Sequence, residues 1–414
     1  MKKNNDTFFA DFVHKPFSLI TKPIGAACNL KCTYCFYLEK QNLFPESKSL
    51  KMTEEVLEDY IKQYIQSQPT PTAQFVWQGG EPTLLGLDYF KTALRLQQKY
   101  ANGKTIENAF QTNGILLDDE WCAFFHDNNF LIGLSIDGPK EMHDHYRYTN
   151  NNGPTFDKVL AAIQLLQKHK VEFNTLTVVN DYNAAFPLEV YRFLKSIGSV
   201  YMQFLPAVER VSEAEQDKGI RFVSNKYSAA ACVTDYSVPP KKYGEFLNAI
   251  FDEWVKNDVG SYFIQLFDTT LANWIGADPG ICMFSATCGH AGVIEHNGDV
   301  FSCDHFVFEE YKLGNIKEMN LGDLMNSPQQ QLFGQDKYNS LPQACLKCPF
   351  LDKCWGECPK KRFLYTEDGE YGLNYLCEGY KSFFAHVTPA MEYMAGELKN
   401  GRSAVSVMQH NNLI

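Results

Sequence analysis

Three cysteines near the N-terminus lie close enough together in the sequence to bind one metal centre. Cys28, Cys32 and Cys35 follow the spacing C-x3-C-x2-C. Thiolates on one short loop can ligate three irons of a [4Fe–4S] cube, and the fourth iron is then open to a small molecule. A zinc knuckle is the alternative, although most zinc knuckles pair C-x2-C with a second cysteine pair close by. The spacing therefore predicts an iron–sulphur centre with one reactive iron.

A second set of cysteines is concentrated towards the C-terminus, where eight of the thirteen cysteines lie. Eight thiolates can complete the ligands of two [4Fe–4S] cubes that have no open iron, and such centres move electrons. Two structural zinc sites of four cysteines each are the alternative. Of the remaining cysteines, Cys122 is predicted to be a small buried hydrophobe, and Cys232 receives no role. The eight are Cys282, Cys288, Cys303, Cys345, Cys348, Cys354, Cys358 and Cys377.

Glycines and polar side chains follow the predicted strands of the N-terminal half. A Gln-Gly-Gly-Glu-Pro segment comes directly after the second predicted strand. In it, Gly79 and Gly80 allow a close approach of the backbone to a ligand, and Glu81 adds a carboxylate. Ser135 and Asp137 stand where the fourth predicted strand ends. Polar groups at successive strand ends predict a ligand bound across one end of a sheet.

Short apolar runs alternate with amphipathic stretches through the first 257 residues. Six β-then-α units predict a parallel sheet with right-handed crossovers. Eight such units close a TIM barrel, so six leave a partial (β/α)6 barrel with an open side and its chemistry at the C-terminal strand ends. The strands are predicted at 17–21, 73–77, 108–111, 131–136, 172–179 and 201–205. The helices are predicted at 53–66, 87–100, 118–128, 155–168, 188–197 and 241–256.

The composition fits a globular protein of 414 residues, because 45% of the residues are hydrophobic and 14% are aromatic. The formal net charge is −11 and no Lys/Arg-rich run is present, so we expect no nucleic-acid partner. Neither a signal peptide nor an apolar run long enough for a bilayer is found, so we expect no membrane contact. We therefore expect a cytoplasmic, anaerobic setting in which the cysteines are metal ligands rather than disulfides.

These motifs together resemble the radical SAM superfamily. The first cysteine segment reads CNLKCTYCFY, with the aromatic Tyr34 before the third cysteine, and Gly-Gly-Glu-Pro follows one strand later. The resemblance implies a partial radical SAM barrel in which S-adenosylmethionine binds the open iron and is reductively split into a radical. The implied cofactor contacts are Gly79, Gly80, Glu81 and Pro82 for the methionyl amino group, Ser135 and Asp137 near the ribose, Arg147 for the methionyl carboxylate, and Tyr37.

The C-terminal cysteine pattern resembles the SPASM domain, the auxiliary-cluster module of radical SAM enzymes that modify peptides. The match includes nine residues between Cys288 and Gly298 and four more before Cys303. The resemblance implies three [4Fe–4S] clusters in all. Its implied ligand sets are Cys28, Cys32 and Cys35 for the S-adenosylmethionine cluster, Cys282, Cys288, Cys303 and Cys358 for auxiliary cluster 1, and Cys345, Cys348, Cys354 and Cys377 for auxiliary cluster 2.

A closer resemblance is to the anaerobic sulfatase-maturating enzymes. Lys-Pro-Ile-Gly-Ala before the first cysteine and Phe-Tyr-Leu-Glu-Lys after the third look like this family, as does the Cys-Asp-His step at Asp304. The resemblance implies that the 5′-deoxyadenosyl radical takes a hydrogen atom from Cβ of a sulfatase cysteine or serine, which becomes Cα-formylglycine. It makes Asp304 the base and Gln78 a substrate contact. We expect burial beside an anionic cluster to raise the pKa of Asp304.

The resemblance also implies two protein partners. One is an unfolded or nascent sulfatase polypeptide with a C/S-x-P-x-R motif, and the other is a low-potential electron donor of the flavodoxin or ferredoxin kind. The protein is expected to be a monomer. The rival interpretation is a SPASM-type maturase of another ribosomal peptide, which forms a thioether or carbon–carbon crosslink. Such enzymes often carry an N-terminal peptide-recognition domain, for which the residues before the first predicted strand are too few.

The predicted organisation has four parts. Residues 1–16 form an N-terminal extension, 17–257 the partial barrel, 258–380 the SPASM domain and 381–414 a C-terminal helix and tail. A long polar loop at 208–237 is expected to form a lid or a substrate-facing insertion. Nothing in the residues decides between cysteine and serine as the target.

Overall fold

The computed structural model describes residues 16–46, 49–214, 219–227 and 230–410, so residues 1–15 of the predicted extension lie outside the described residues. The fold is the α/β architecture predicted from the sequence. Its strands are β1 (Ser18–Lys22), β2 (Thr72–Trp77), β3 (Thr105–Thr112), β4 (Phe130–Ser135), β5 (Phe173–Val179), β6 (Tyr201–Pro206), β7 (Arg210–Val211), β8 (Cys232–Val233), β9 (Phe263–Ile264), β10 (Ala291–Glu295), β11 (Asp299–Phe301), β12 (Lys312–Asn315), β13 (Arg362–Tyr365) and β14 (Tyr371–Asn374). Its helices are α1 (Glu54–Ser67), α2 (Leu87–Tyr100), α3 (Asp119–Asp127), α4 (Lys140–Tyr146), α5 (Phe156–Lys168), α6 (Pro187–Ser196), α7 (Pro240–Asn257), α8 (Gln265–Ile275), α9 (Leu321–Met325), α10 (Pro328–Asn339), α11 (Gln343–Leu346), α12 (Leu351–Cys354) and α13 (Cys377–Lys399).

Ten strands form one sheet in the order β12-β11-β10-β1-β2-β3-β4-β5-β6-β9. Every neighbouring pair from β10 to β9 is parallel, whereas β11 and β12 pair in antiparallel fashion at one edge. The run from β1 to β6, with a helix after each strand, is the predicted partial (β/α)6 barrel. Because parallel strands end at the same edge of a sheet, the loops after β1–β6 and β10 surround one mouth of this barrel.

Local sequence explains why the barrel elements lie close to their predicted positions. The side chain of Thr53 accepts a hydrogen bond from the Val56 N–H at 3.3 Å and caps α1. Asp118 caps α3 in the same way, through the Trp121 N–H at 2.9 Å. Within the described part of the chain, none of the helices combines the length and apolar composition needed to cross a bilayer.

The barrel sheet continues into the cysteine-rich region through β10, β11 and β12. The sequence analysis did not predict this continuation. β10 pairs with β1 along its whole length, from Ser18 with Ala291 to Lys22 with Glu295. Four of the five β10 residues are buried. A short strand that is buried on both faces shows no alternation of apolar and polar residues, so periodicity could not reveal it. The helices α8 and α10 were likewise not predicted.

The polar loop after β6 is held against its surroundings by ion pairs. It contains the short antiparallel pair β7 and β8. The Glu39 carboxylate accepts hydrogen bonds from the Arg221 N–H at 2.7 Å and from its Nε at 2.8 Å. Glu209 forms an ion pair of 2.5 Å with Lys360. These contacts tie the described part of the loop to the first cysteine loop and to the SPASM region.

The C-terminal helix α13 packs directly against α7. A Cβ atom on Gly244 would lie 2.8 Å from the Gly379 Cα, and a Cβ on Gly379 would lie 2.3 Å from the Pro240 carbonyl oxygen. The two helix backbones are therefore in contact at these glycines. Because α13 begins at Cys377, this packing also positions a predicted cluster ligand.

We expect Gly379→Ala to destabilise the protein by about 1–3 kcal/mol, since the added methyl group must push apart two buried helices. The midpoint of thermal unfolding, measured anaerobically on reconstituted protein, should fall. Gly396→Ala in the same helix is the matched control, because no atom lies within 4 Å of its Cβ position. A midpoint for Gly379→Ala equal to that of the control would contradict the close contact of α7 and α13.

Candidate active site

The first cysteine loop follows β1 at the mouth of the barrel. Cys28, Cys32 and Cys35 are half-buried on it. Burial raises the pKa of Cys28 to about 12 and that of Cys32 to about 11, with a further contribution from Cys35 to both. The protein alone therefore does not stabilise the thiolates, which need a cationic metal centre. Three thiols on one loop, with raised pKa values, fit a cluster with one open iron.

The Gly-Gly-Glu-Pro segment after β2 packs directly against this loop. The Gly80 N–H donates to the Gly25 carbonyl at 2.7 Å, and the Glu81 N–H donates to the Ala27 carbonyl at 2.8 Å. A Cβ atom on Gly80 would lie only 1.8 Å from the Ala27 carbonyl oxygen, so no larger residue fits without a shift of the backbone. The contact between two protein segments thus requires this glycine, whatever ligand the segment also binds.

Glu81 is buried and uses its carboxylate inside the protein. Its Oε1 accepts hydrogen bonds from the Thr83 N–H at 3.1 Å, the Thr83 hydroxyl at 2.6 Å and the Thr112 hydroxyl at 2.8 Å. Its Oε2 accepts from the Asn113 N–H at 2.8 Å. Burial raises the pKa of Glu81, and these hydrogen bonds oppose the rise. The carboxylate therefore fixes the loops after β2 and β3 to each other.

Asp137 and Arg147 meet through Tyr34 beside the first cysteine loop. The Asp137 carboxylate accepts from the Tyr34 hydroxyl and, at 2.9 Å, from the Val178 N–H. Arg147 Nη1 donates to the Tyr34 oxygen at 2.8 Å and lies 3.9 Å from the Asp137 carboxylate. The Nε of Arg147 is buried without a hydrogen-bond partner among the described residues, which fits an additional anionic ligand. Ser135 is half-buried at the end of β4.

Two histidines near Arg147, to which the sequence analysis assigned no role, take part in packing. The His143 Nε2 lies 3.0 Å from the Thr155 hydroxyl, and its Nδ1 lies 3.4 Å from the Asp137 nitrogen. Burial lowers the pKa of His143 well below its usual value, so the ring is neutral. The His145 ring stacks on Tyr182 with 4.1 Å between the centroids.

Lys22, the last residue of β1, connects the predicted substrate-side residues, and the sequence analysis missed it. Its side chain is buried, with Nζ 2.8 Å from the Asp304 Oδ1 and 2.8 Å from the Gln78 Oε1, to which it donates. The same Nζ lies 3.9 Å from the centre of the Tyr37 ring. Lys22 is the first residue of the Lys-Pro-Ile-Gly-Ala segment that carried the family resemblance, but that segment gave the lysine no role of its own, and only its position at the strand end could have drawn attention to it.

The polar network extends from Lys22 to the neighbouring strands. The Tyr37 hydroxyl donates to the Glu295 carboxylate, and the Gln78 Nε2 donates to the Gln111 Oε1. Glu295 ends β10 and is the register partner of Lys22. Side chains from β1, β3, β10 and the segment after β2 therefore meet at one point of the barrel mouth.

Asp304 lies in this network beside Cys303, but its pKa is not raised as expected. Burial raises the pKa of Asp304, yet the nearby Lys22 and His305 outweigh burial and leave it below its usual value. The expectation of a raised pKa is wrong for the protein groups alone, because the sequence analysis did not foresee Lys22. The carboxylate is ionised and able to accept a proton.

The structure brings Cys282, Cys288, Cys303 and Cys358 together. Burial raises the pKa of Cys288 to about 12, and repulsion from Cys282 and Cys358 adds to the rise. The pKa of Cys303 is raised well above its usual value by burial and by the same three neighbours. Mutual repulsion of this kind places the four thiols in one neighbourhood, and four thiols are the donor set of a fully ligated cluster.

The structure also brings together Cys345, Cys348, Cys354 and Cys377, which line one pocket. Burial raises the pKa of Cys354 to about 12, with added repulsion from Cys377 and Cys345. Four thiols around one pocket are the donor set of a second fully ligated cluster. Neither Cys122, buried in the core, nor Cys232, exposed on β8, joins any of the three groups.

Comparisons with known proteins agree with this geometry. A model of the radical SAM superfamily matches residues 23–194, and a model of the SPASM iron–sulphur cluster-binding domain matches residues 286–349. The chain is 52% identical over 403 residues to a serine-type anaerobic sulfatase-maturating enzyme of Bacteroides thetaiotaomicron, with 97% of each chain covered. It is 36% identical over 392 residues to a cysteine-type enzyme of Clostridium perfringens, covering 93% of this chain and 100% of that one.

A solved structure gives the same result in three dimensions. Native anSMEcpe with bound AdoMet and Cp18Cys peptide matches the fold with a TM-score of 0.80 and 35% sequence identity. The match covers 93% of this chain and 100% of that one. With similarity over nearly its whole length, this chain belongs to the family of anaerobic sulfatase-maturating enzymes within the radical SAM superfamily.

Proposed function

We propose that this protein oxidises a cysteine or serine side chain of a sulfatase polypeptide to Cα-formylglycine. The observation that carries the proposal is the buried, ionised Asp304, held by Lys22 at the barrel mouth. Tyr37, two residues after Cys35, lies beside the same lysine, because the Lys22 Nζ is 3.9 Å from the centre of its ring and 2.8 Å from the Asp304 carboxylate. Oxidation of an alcohol to an aldehyde, or of a thiol to a thioaldehyde, removes one hydrogen atom, one proton and one electron, and Asp304 accounts for the proton. Water then hydrolyses the thioaldehyde to the aldehyde and releases its sulphur as hydrogen sulphide.

The side chains of this protein position the target residue and accept its proton. When bound, S-adenosylmethionine and the three [4Fe–4S] clusters supply the acceptor of the Cβ hydrogen atom and the acceptor of the electron. Asp304 accepts the thiol or hydroxyl proton. Lys22 keeps the Asp304 carboxylate oriented, and Gln78, fixed between Lys22 and Gln111, offers its amide to the substrate.

We propose the following contacts for S-adenosylmethionine, for which the unpaired Arg147 Nε gives support. Arg147 binds the methionyl carboxylate, because a guanidinium matches a carboxylate in two-point geometry. The Glu81 carboxylate already accepts hydrogen bonds from Thr83, Thr112 and Asn113. The backbone of the Gly-Gly-Glu-Pro segment, which this carboxylate holds in place, is therefore the part that can bind the methionyl amino group. The remaining proposed contacts are Gly79, Gly80, Pro82, Ser135, Asp137 and Tyr37.

The cluster ligands are proposed in the sets that the mutual repulsion of the thiols supports. The S-adenosylmethionine cluster takes the three cysteines of the first loop. Auxiliary cluster 1 takes Cys282, Cys288, Cys303 and Cys358. Auxiliary cluster 2 takes Cys345, Cys348, Cys354 and Cys377. The division into a barrel at 17–257, a SPASM domain at 258–380 and a C-terminal helix and tail is part of the same proposal.

We also propose the setting and partners of the reaction. The substrate segment is an unfolded or nascent sulfatase chain with a C/S-x-P-x-R motif, because a folded sulfatase could not bring its own core residue to a buried base. A flavodoxin- or ferredoxin-like donor supplies low-potential electrons to a monomeric enzyme. Thirteen cysteines without a disulfide among those described support a reducing cytoplasm.

The direct test is anaerobic incubation of reconstituted protein with reductant, S-adenosylmethionine and short peptides carrying C-x-P-x-R or S-x-P-x-R. Mass spectrometry should find the aldehyde at the target residue, together with 5′-deoxyadenosine. A peptide with alanine at the target is the control. Formation of 5′-deoxyadenosine with both peptides unchanged would overturn formylglycine formation and favour the crosslinking of another ribosomal peptide.

We expect Asp304→Asn to lower the rate of peptide oxidation by about 10²–10⁴-fold, since a positioned base contributes that much. Affinity for S-adenosylmethionine and cluster content should stay close to those of the unmodified protein. Asp88→Asn, at a fully exposed carboxylate, is the control and should have no effect. Full activity of Asp304→Asn with all clusters present would rule out Asp304 as the base.

Lys22→Met should lower kcat for peptide oxidation about a hundredfold, because small misplacements of a reacting group cost that much. The ratio of 5′-deoxyadenosine to formylglycine should rise, since cofactor cleavage continues without productive proton transfer. In an Asp304→Asn background the same change should cost much less, because the two residues act as a unit. Lys51→Met, at an exposed lysine, is the control; additive losses in the double variant would contradict the positioning role.

A further inference from the structure

The short loop between Cys354 and Cys358 connects the two SPASM cysteine groups, because each of these cysteines belongs to a different group. Its three residues, Trp355, Gly356 and Glu357, have φ angles of +48°, +67° and +53°. Two of the three are not glycine, and non-glycine residues in this left-handed region are strained and persist there only where the surroundings impose it. Something must therefore hold this loop in place.

The Arg362 guanidinium bonds to all three carbonyls of this loop, and the Asn374 amide adds a hydrogen bond of 3.2 Å to the Gly356 carbonyl. The Arg362 Nε donates to the Gly356 carbonyl at 2.8 Å, and its Nη2 donates to the carbonyls of Trp355 and, at 3.0 Å, Glu357. The Nη1 donates to the Lys337 carbonyl. A Cβ atom on Gly356 would lie 2.7 Å from the Arg362 Nη2, so the loop can wrap the cation this closely only with glycine there. All three loop carbonyls thus converge on Arg362.

Arg362 is a buried positive charge that pairs with no carboxylate in the part of the chain that the structure describes. It is 3% exposed, and all of its hydrogen-bond acceptors among the described residues are backbone carbonyls. The nearby carboxylate of Glu357 is instead paired with Lys361 at 2.9 Å. Lys337 repeats the pattern, since its buried Nζ donates to the carbonyls of Cys282 and Met283. A buried charge is costly unless an opposite charge compensates it, and an arginine does not lose its proton.

The compensating charges are the cysteine groups on either side. The Arg362 guanidinium bonds to every carbonyl of the three-residue loop that runs from Cys354 to Cys358. Cys354 belongs to one group and Cys358 to the other, so the guanidinium lies beside both. Lys337 instead bonds to the carbonyls of Cys282 and Met283, and Cys282 belongs to a single group. Arg362 therefore neighbours both cysteine groups, whereas Lys337 neighbours only one of them.

We propose that Arg362 is a positioning residue shared by both auxiliary clusters, which raises their two reduction potentials together and fixes the loop that links them. A [4Fe–4S] centre with four thiolates is an anion, and one-electron reduction makes it more negative, so a buried cation beside it stabilises the reduced form. Lys337 does the same for the cluster of Cys282 and Cys288 alone. The inference rests on the cluster sets of the proposed function and is independent of the sulfatase substrate.

The test is a redox titration, monitored by electron paramagnetic resonance, of the full chain with Cys28, Cys32 and Cys35 changed to alanine. Only the two auxiliary clusters then remain. Arg362→Gln should lower both midpoint potentials. The equilibrium constant for one-electron reduction of each cluster should fall about tenfold, which corresponds to about 59 mV. Arg362→Lys keeps the charge and should stay near the unmodified values. Lys337→Gln should lower only one of the two potentials.

Lys381→Gln is the matched control, because Lys381 lines the same pocket as Cys345 and Cys377 but is exposed, so solvent screens its charge. Its potentials should not change. Unchanged potentials in Arg362→Gln with full iron and sulphide content would overturn the proposal, as would equal decreases in Arg362→Lys and Arg362→Gln. If Arg362→Gln assembles no auxiliary cluster, the redox titration of Lys337→Gln becomes the test. Two unchanged midpoint potentials in Lys337→Gln would overturn the electrostatic account. Because no peptide is present, failure of the sulfatase assignment cannot produce either result.

Discussion

The parallel pairing of β1 with β10 is the constraint on which the site depends. It places Lys22 opposite Glu295 and brings the start of the SPASM region to the same edge of the sheet as the first cysteine loop. From there the chain reverses through β11 and delivers Cys303 and Asp304 to the barrel mouth. Without this pairing, the predicted base and the S-adenosylmethionine loop would belong to separate bodies, and their geometry would vary.

Buried charge is handled in two ways in this protein, and each suits a different task. At the barrel mouth, Lys22 and Asp304 compensate each other directly, which keeps a carboxylate ionised in a place that excludes water. Between the SPASM cysteine groups, Arg362 and Lys337 donate to backbone carbonyls and to no carboxylate among the described residues, and in our proposal the clusters compensate their charge. In the proposed reaction the first arrangement prepares an acceptor for a proton, and the second favours acceptance of an electron.

The sequence predicted the barrel well because its elements carry strong local signals. Apolar strands, amphipathic helices and caps such as Thr53 are properties of neighbouring residues, and cysteine spacing is a fixed pattern. The residues that were missed depend on contacts distant in the chain. Lys22 meets Asp304 only after β10 joins β1, and Arg362 gains its role only when a left-handed loop closes around it. The expected rise in the pKa of Asp304 was wrong for the protein groups alone for the same reason, because it did not include Lys22.

The most direct test of the central claim follows one hydrogen atom. A C-x-P-x-R or S-x-P-x-R peptide with deuterium at Cβ of the target residue would be incubated anaerobically with reconstituted protein, reductant and S-adenosylmethionine. Mass spectrometry would then be used to examine the 5′-deoxyadenosine formed in the same reaction as the aldehyde. The account predicts that this 5′-deoxyadenosine carries deuterium. Deuterium-free 5′-deoxyadenosine, or label transferred only from peptides deuterated at Cα, would contradict abstraction from Cβ and with it the proposed oxidation.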